Sequence, residues 1–395
     1  MSETGFDSLW SALEPIGRHP GTGGYRRFAW TAEDATLREW FAGEAAARGL
    51  SLTLDRAGNQ WAWQGDPDDT AGIAVGSHLD SVPEGGAFDG PLGVVSAFAA
   101  LDALRADGFA PARPIGVVNI GDEEGARFGV ACAGSRIMTG ALDADRARSL
   151  TDADGTALGT AMGAAGHDSA ALGRDDETLR RIAGFVELHV EQGRNLVDQQ
   201  HAIGVASAIR PHGRWRIDLA GEANHAGTTG LTDRRDAMVA AAAVVLAARA
   251  AAERHGAVAT CGKLRVEPNG VNAIASHATV WLDARAATAE QVRAVVADVA
   301  EVASANGGRL SEESWSDATT FPDPGRLARL LDDAPILDTG AGHDAGILAA
   351  GGIPAAMLFV RNPTGISHSP AEYAERDDCL AGVAALATVI RELAG

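Results

Sequence analysis

Three short β-branched runs separated by helical stretches set the strongest limit on how this chain folds. "GIAVGSH" (72–78), "PIGVVNIG" (114–121) and "GFVELHVEQG" (184–193) read as buried strands, and the Leu/Ala-rich run 92–106 has the length of a helix. Strands joined by such helices predict βαβ units, hence an α/β fold with a mostly parallel sheet flanked by helices on both faces. Ligands of such sheets gather at the carboxyl ends of the strands, which is where the polar residues of this chain cluster.

From about Val205 the texture changes. "RWRIDLAG" (214–221), the Ala-rich 236–252, "AVATCGKLRV" (257–266), "ATVWLDAR" (278–285) and a helical run near 288–304 form an α+β set. Strand-like "AAMLFV" (355–360) and the helical tail 377–393 then resume the first pattern. A chain of 395 residues is long for one core. The expected organisation is therefore one domain from 1–205 and 318–395, with 206–317 inserted into it as a second.

The formal net charge is -20 and no Lys/Arg-rich block occurs, which argues against nucleic acid and anionic membranes as partners. "MSETGFDSLW" lacks the basic and apolar regions of a signal peptide, and the longest uncharged apolar stretch, Ala237 to Ala248, is too short to span a bilayer. A cytoplasmic location is expected. Cys132, Cys261 and Cys379 are far apart and odd in number, so they read as small core residues rather than a disulfide framework.

In "VVNIGDEEGARFG" the strand-like run ends in Asp122, Glu123 and Glu124. Like charges crowded at the mouth of a core call for a cation, or for a proton on one of them. Other strand-end stretches carry His78 and Asp80 ("GSHLDS"), Asp89 ("GGAFDGPLG") and His189 ("ELHVEQG"), and a C-terminal loop carries His368 ("GISHSPAE"). Singly, each has an ordinary reading as a polar residue or a solvated acid. Five such stretches, flanked by glycines that let backbone approach closely, point to a metal centre. His with carboxylates suits zinc, manganese, cobalt or nickel.

"GSHLDSVPEGGAFDGPLGV", "GDEEGARFG", "ELHVEQG", "GEANHAGTT", "PNGVNAI…LDAR", "GAGHDA" and "GISHSPAE" resemble, in order and over nearly the whole chain, the hydantoinase/carbamoylase group of the M20 metallopeptidase family. That group contains N-carbamoyl-L-amino acid hydrolases, β-ureidopropionases and allantoate amidohydrolases. The resemblance implies two divalent ions, with manganese or zinc first and cobalt or nickel tolerated. Asp89 would bridge them, His78 and His189 would complete one site, and Glu124 and His368 the other. Asp80, two residues after His78, would accept a hydrogen bond from its imidazole. Glu123 would be the general base toward water and then the acid to the leaving amine.

The resemblance further implies that Arg285 anchors a substrate carboxylate with the help of Asn272, although a surface salt bridge accounts for an Arg at that position equally well. Both residues fall in the inserted domain, whose closure would assemble the site. His225 in "GEANHAGTT" would reach the active site of the other subunit and stabilise the oxyanion, so a homodimer is implied. His343 and Gln192 would line the substrate pocket. The group commonly has Pro and Met after "HAGTT"; here Gly230 and Leu231 stand there, which loosens that loop. The remaining histidines, His19, His167, His201, His212, His255 and His277, read as surface residues.

The expected activity is metal-dependent cleavage of the linear ureido (N-carbamoyl) C–N bond of a small anionic substrate, such as allantoate or an N-carbamoyl-L-amino acid, yielding ammonia and carbon dioxide. The "MLFVRNPTGISHSPAEY" stretch has the texture of allantoate amidohydrolases. The nearest rival is an M20 dipeptidase or deacylase with the same metal chemistry. A non-catalytic binding protein on the same fold is the rival from another class.

Overall fold

The computed structural model describes residues 3–395, which fall into two compact units. The first holds the residues up to 208 with 320–338 and 342–395; the second holds 209–319 and 339–341.

Among the described residues the strands are β1 (Ser51–Leu54), β2 (Gln60–Gln64), β3 (Gly72–His78), β4 (Ile115–Ile120), β5 (Ile182–Val190), β6 (Ile203–Ile209), β7 (His212–Ala220), β8 (Val258–Glu267), β9 (His277–Arg285), β10 (Gly308–Ser316), β11 (Thr319–Thr320), β12 (Ile336–Thr339) and β13 (Ala355–Val360). Nine of them form one mixed sheet in the order β1-β2-β4-β3-β5-β13-β6-β11, with β12 on β6. At its centre β4, β3, β5 and β13 run parallel. At its margins β1 pairs with β2, β2 with β4, and β6 with β13, all antiparallel. β3, β4 and β13 are buried along their whole length, as the continuous apolar runs of a sheet covered on both faces require.

The helix Pro91–Ala106 starts with proline in its first turn, where the missing N–H costs nothing, and buries residues all round its circumference. It packs against the C-terminal helix Arg376–Ala394. Phe98, Leu101, Leu104, Val383, Leu386 and Ile390 belong to the core they share with the sheet. Gly90, which caps the first of these helices with φ +85°, is held to glycine by contact as well as by conformation: a Cβ there would lie 2.4 Å from the His78 ring.

The second unit is a four-stranded antiparallel sheet, β10-β7-β9-β8, packed with the helices Ala237–His255 and Ala289–Ala305. Strand β7 alternates inward Trp215, Ile217 and Leu219 with outward polar residues, the period of a sheet with one buried face. Its second helix opens on a capping box between Thr288 and Gln291.

Register places the polar strand ends. His78 ends β3 opposite Ile120, which ends β4, so the turn carrying Asp122, Glu123 and Glu124 starts beside the His78 imidazole. His189 lies one residue from the end of β5, opposite Phe359 of β13.

Candidate metal centre

The two oxygens of Asp89 face two different sets of side chains. Oδ1 lies 3.1 Å from His189 Nε2 and 3.7 Å from His78 Nε2. Oδ2 lies 3.4 Å from His368 Nε2, which is itself 3.6 Å from Glu124 Oε1. Two atoms each ~2.1 Å from a tetrahedral ion lie about 3.4 Å apart, so both spacings fit a metal. His78 Nε2, His189 Nε2 and Glu124 Oε1 are buried with no hydrogen-bond partner. Burial without a partner is costly, and an ion at each set would meet all three atoms.

Fixed hydrogen bonds aim these groups. The backbone carbonyl of Val190 faces His189 Nδ1 at 2.9 Å and that of Asp80 faces His78 Nδ1 at 3.2 Å, which turns the two Nε2 atoms toward Asp89. The Asp80 carboxylate approaches His78 Nδ1 at 3.4 Å, but its strongest partners are elsewhere: it accepts the backbone N–H groups of Glu123 and Glu124.

Glu123 stands beside the first set, with Oε2 3.8 Å from His78 Nε2 and Oε1 accepting the Cys132 thiol at 3.2 Å. Burial pushes the Cys132 thiol well up, helped by Glu123, so the sulfur keeps its proton and donates. Burial also pushes Glu123 well above the usual carboxylate range, and together with Asp89 it brings Glu124 up to about 7. Burial acts on Asp89 in the same sense, yet His189 and His368 outweigh it and hold that group well below its ordinary value. For His78, burial is overcome by Asp80, Glu123 and Asp89, and the imidazole is raised. Protons and a divalent ion thus compete for the same sites.

Asp122 is not solvated. It is buried with φ +54°, and it borders a cavity of about 20 Å³, room for one water, together with Trp30, Asp34 and Arg38. Its left-handed backbone makes the turn that presents the next two acids.

Gln192 lies against the cluster itself, its Nε2 donating to Asp89 Oδ2 at 2.8 Å. His343 is buried with its ring edge-on to His189, centroids 4.5 Å apart. Behind them Glu187 accepts from Ser77 Oγ and from the backbone N–H of Ala345, tying β3, β5 and the first turn of the helix Asp344–Ala350 together.

His225, Asn272 and Arg285 lie in the second unit. His225 and Asn272 are exposed on two paired loops, where the Ala226 N–H donates to the Asn272 carbonyl. His225 Nδ1 accepts the Gly227 N–H, so the neutral ring carries its proton on Nε2. The Arg285 guanidinium is engaged by Asp283 through Nε and Nη2, at 2.7 and 2.9 Å, and by the Gly340 carbonyl through Nη1. The remaining six histidines are all at least partly exposed.

The model of peptidase family M20/M25/M40 matches residues 74–392. The chain belongs to the M20 peptidase family. Within it, the chain is 36% identical to an N-carbamoyl-L-amino acid amidohydrolase of Geobacillus stearothermophilus, with 98% of each covered. It is 33% identical to the allantoate amidohydrolase of Escherichia coli, over 97% of this chain and 96% of that one. A crystal structure of a hydantoinase/carbamoylase family amidase from Burkholderia vietnamiensis superposes with TM-score 0.90 at 30% identity, over 98% and 97% of the two chains. The structure of AtUAH in complex with (S)-hydroxyglycine gives TM-score 0.91 at 25% identity, over 100% of this chain and 98% of that one. This M20 protein is therefore an amidohydrolase of the hydantoinase/carbamoylase group, a hydrolase of non-peptide C–N bonds.

Three groups at this M20 centre escaped the reading of the sequence: Cys132 on the Glu123 carboxylate, Glu187 behind the histidines, and Glu372 under Asp89. Glu187 and Glu372 stood inside quoted motifs. Their own signal was an acid with no assigned role, two residues from His189 in one case and four from His368 in the other.

Proposed function

We propose that this chain hydrolyses a linear ureido C–N bond of a small carboxylate-bearing substrate, allantoate or an N-carbamoyl-L-amino acid. The observation that carries the proposal is the division of Asp89 between two ligand sets, with Glu123 beside His78 of the first. His78, His189 and Asp89 would hold one divalent ion, and Asp89, Glu124 and His368 a second. Manganese and zinc suit these ligands first, cobalt and nickel next. Such ions, when bound, polarise a carbonyl and lower the pKa of water toward ~7.

Glu123 takes the proton of the attacking water on its Oε2 side and passes it to the nitrogen that leaves. The Cys132 thiol holds its other oxygen, so the carboxylate faces the reacting atoms in one orientation. The products are an amine and carbamate, which decays to ammonia and carbon dioxide. We assign the substrate carboxylate to Arg285 and Asn272, the developing oxyanion to the Nε2–H of His225, and the walls of the substrate pocket to His343 and Gln192.

A homodimer accords with the second unit. On the helix Ala237–His255, Val239 and Leu246 are 66% and 72% exposed, and β8, at the sheet edge, exposes Val258 and Leu264. An apolar helix face beside an open strand edge is the surface a second copy covers. Among the described residues no helix is long and apolar enough to cross a membrane.

The test is ammonia release by manganese-loaded protein given allantoate, an N-carbamoyl-L-amino acid and N-carbamoyl-β-alanine side by side, with Glu123→Gln as control. Turnover of one of them, lost in the control, is the expected result. Turnover only of peptides or acyl amides would overturn the proposal.

A further inference from the structure

The bridging position of Asp89 is set from outside the ligand sphere. Glu372, buried and 283 residues away in sequence, accepts the backbone N–H groups of Phe88 and Asp89 on Oε1, both at 2.9 Å. Its Oε2 accepts the Ser367 hydroxyl at 2.9 Å, and the same hydroxyl lies 3.2 Å from Asp89 Oδ2. Ser367 has one hydroxyl proton, so it serves the two carboxylates alternately and ties the position of one to that of the other. The approach is close enough to demand glycine at 86, where a Cβ would stand 2.4 Å from the Glu372 side chain.

The two ligand sets depend on this clamp unequally. His78 and His189 are fully buried in β3 and β5 and are aimed by backbone carbonyls of their own segments. His368 sits on a loop with φ +54°, its side chain 46% exposed, next to Ser367. The loop reaches Asp89 through Ser367 and Glu372. We infer that Glu372 is a positioning residue that couples the His368 loop to Asp89, and that it governs the ion held by Glu124 and His368 far more than the ion held by His78 and His189. This inference rests on the two-ion site proposed above.

The experiment is metal stoichiometry and affinity, by elemental analysis and chelator competition with manganese, for the full chain and for Glu372→Ala, Glu372→Gln and Ser367→Ala. Thermal unfolding of each is followed in parallel. Expected for Glu372→Ala is one ion held as in the parent and the other weakened roughly 10- to 100-fold, the usual effect of losing a group that orients a ligand. Glu372→Gln keeps a carbonyl oxygen for the two N–H groups and an amide for Ser367, so it should keep both ions. Equal weakening of both ions, or none, in Glu372→Ala would overturn the inference. If Glu372→Ala fails to fold, Ser367→Ala decides: selective weakening of one ion supports the coupling and unchanged binding refutes it. A parent protein that binds a single ion would instead overturn the two-ion site, and the inference with it.

Discussion

The carboxylate of Asp80 accepts the backbone N–H of Glu123 on Oδ1 at 3.0 Å, and on Oδ2 it takes that of Glu124 at the same distance. One side chain just past the end of β3 thus fixes the turn after β4, so that Glu123 meets Cys132 while Glu124 faces His368. The left-handed Asp122 permits the turn and Asp80 locks it. The locking partner is itself buried, where each amide bond to a charged group contributes about 1.5–3 kcal/mol.

Asp80→Asn keeps the volume but leaves one oxygen for two N–H donors, and sets an NH2 group against the second. Metal affinity should fall roughly 10- to 100-fold, with a parallel fall in kcat. Chelator competition read beside steady-state kinetics checks this. Unchanged affinity would mean that the turn holds its shape without the clamp.

Glu123 and Glu124 should separate cleanly when each is replaced by Gln. Glu123→Gln is expected to keep its metal content and lose about 10²- to 10⁴-fold in kcat, the range of general acid–base catalysis. Glu124→Gln should lose the ion it shares with His368. Elemental analysis of both variants distinguishes the roles, and loss of metal from Glu123→Gln would reverse them.

The strand ends were legible in the sequence because their signals are local: apolar runs that stop at His78, at the acids after Ile120 and near His189, with glycines beside them. The parallel centre of the sheet followed from the same runs. The antiparallel margin formed by β1 and β2 did not, since "SLTL" and "QWAWQ" are too short to stand out. Cys132 and Glu372 were illegible for a different reason. Their partners lie 9 and 283 residues away, and nothing in either stretch says which loop will be folded against it. Arg285 was legible as a fork for a carboxylate, and the structure shows an internal one, Asp283, already in it.

Asp55, which belongs to neither ligand set, gives a pH dependence of its own. Burial pushes its carboxyl up to about 6, against the pull of Trp61 Nε1–H and the Asn59 donors. A carboxyl with a higher pKa folded than unfolded binds its proton more tightly in the folded chain. Its stabilisation is complete below the unfolded value of 3.8 and is lost as pH rises through about 6. Between about pH 5.5 and about pH 8 the loss is on the order of 1 kcal/mol. Urea unfolding of the parent and of Asp55→Asn across that range should diverge by this amount, the parent weakening as pH rises. Parallel curves would show that the group is already ionised in the folded protein.

Leu246 offers a test of the dimer that spares the fold, because its side chain is exposed on the helix Ala237–His255. A charge at the centre of an apolar contact typically costs about 2 kcal/mol or more in association. Leu246→Glu should therefore shift the protein toward monomer in sedimentation velocity while leaving its unfolding temperature nearly unchanged. Activity should fall with the dimer, since His225 is assigned to the partner's reaction. A monomeric parent would remove both expectations.

Arg285 separates substrate capture from internal bracing. Its guanidinium is held in a plane by Asp283 and the Gly340 carbonyl, so its orientation is set before any substrate arrives. If that orientation serves a substrate carboxylate, Arg285→Ala should raise KM for anionic ureides by roughly 10- to 100-fold with little change in kcat, matching the loss of charged hydrogen bonds of ~1.5–3 kcal/mol. Arg285→Lys should rescue little, because an ammonium cannot reproduce the planar fork or stay bound to Asp283 in the same geometry. An unchanged KM together with a lower unfolding temperature would assign the Arg285–Asp283 pair to bracing the end of β9 beside the 339–341 segment, and would move the substrate carboxylate to another group.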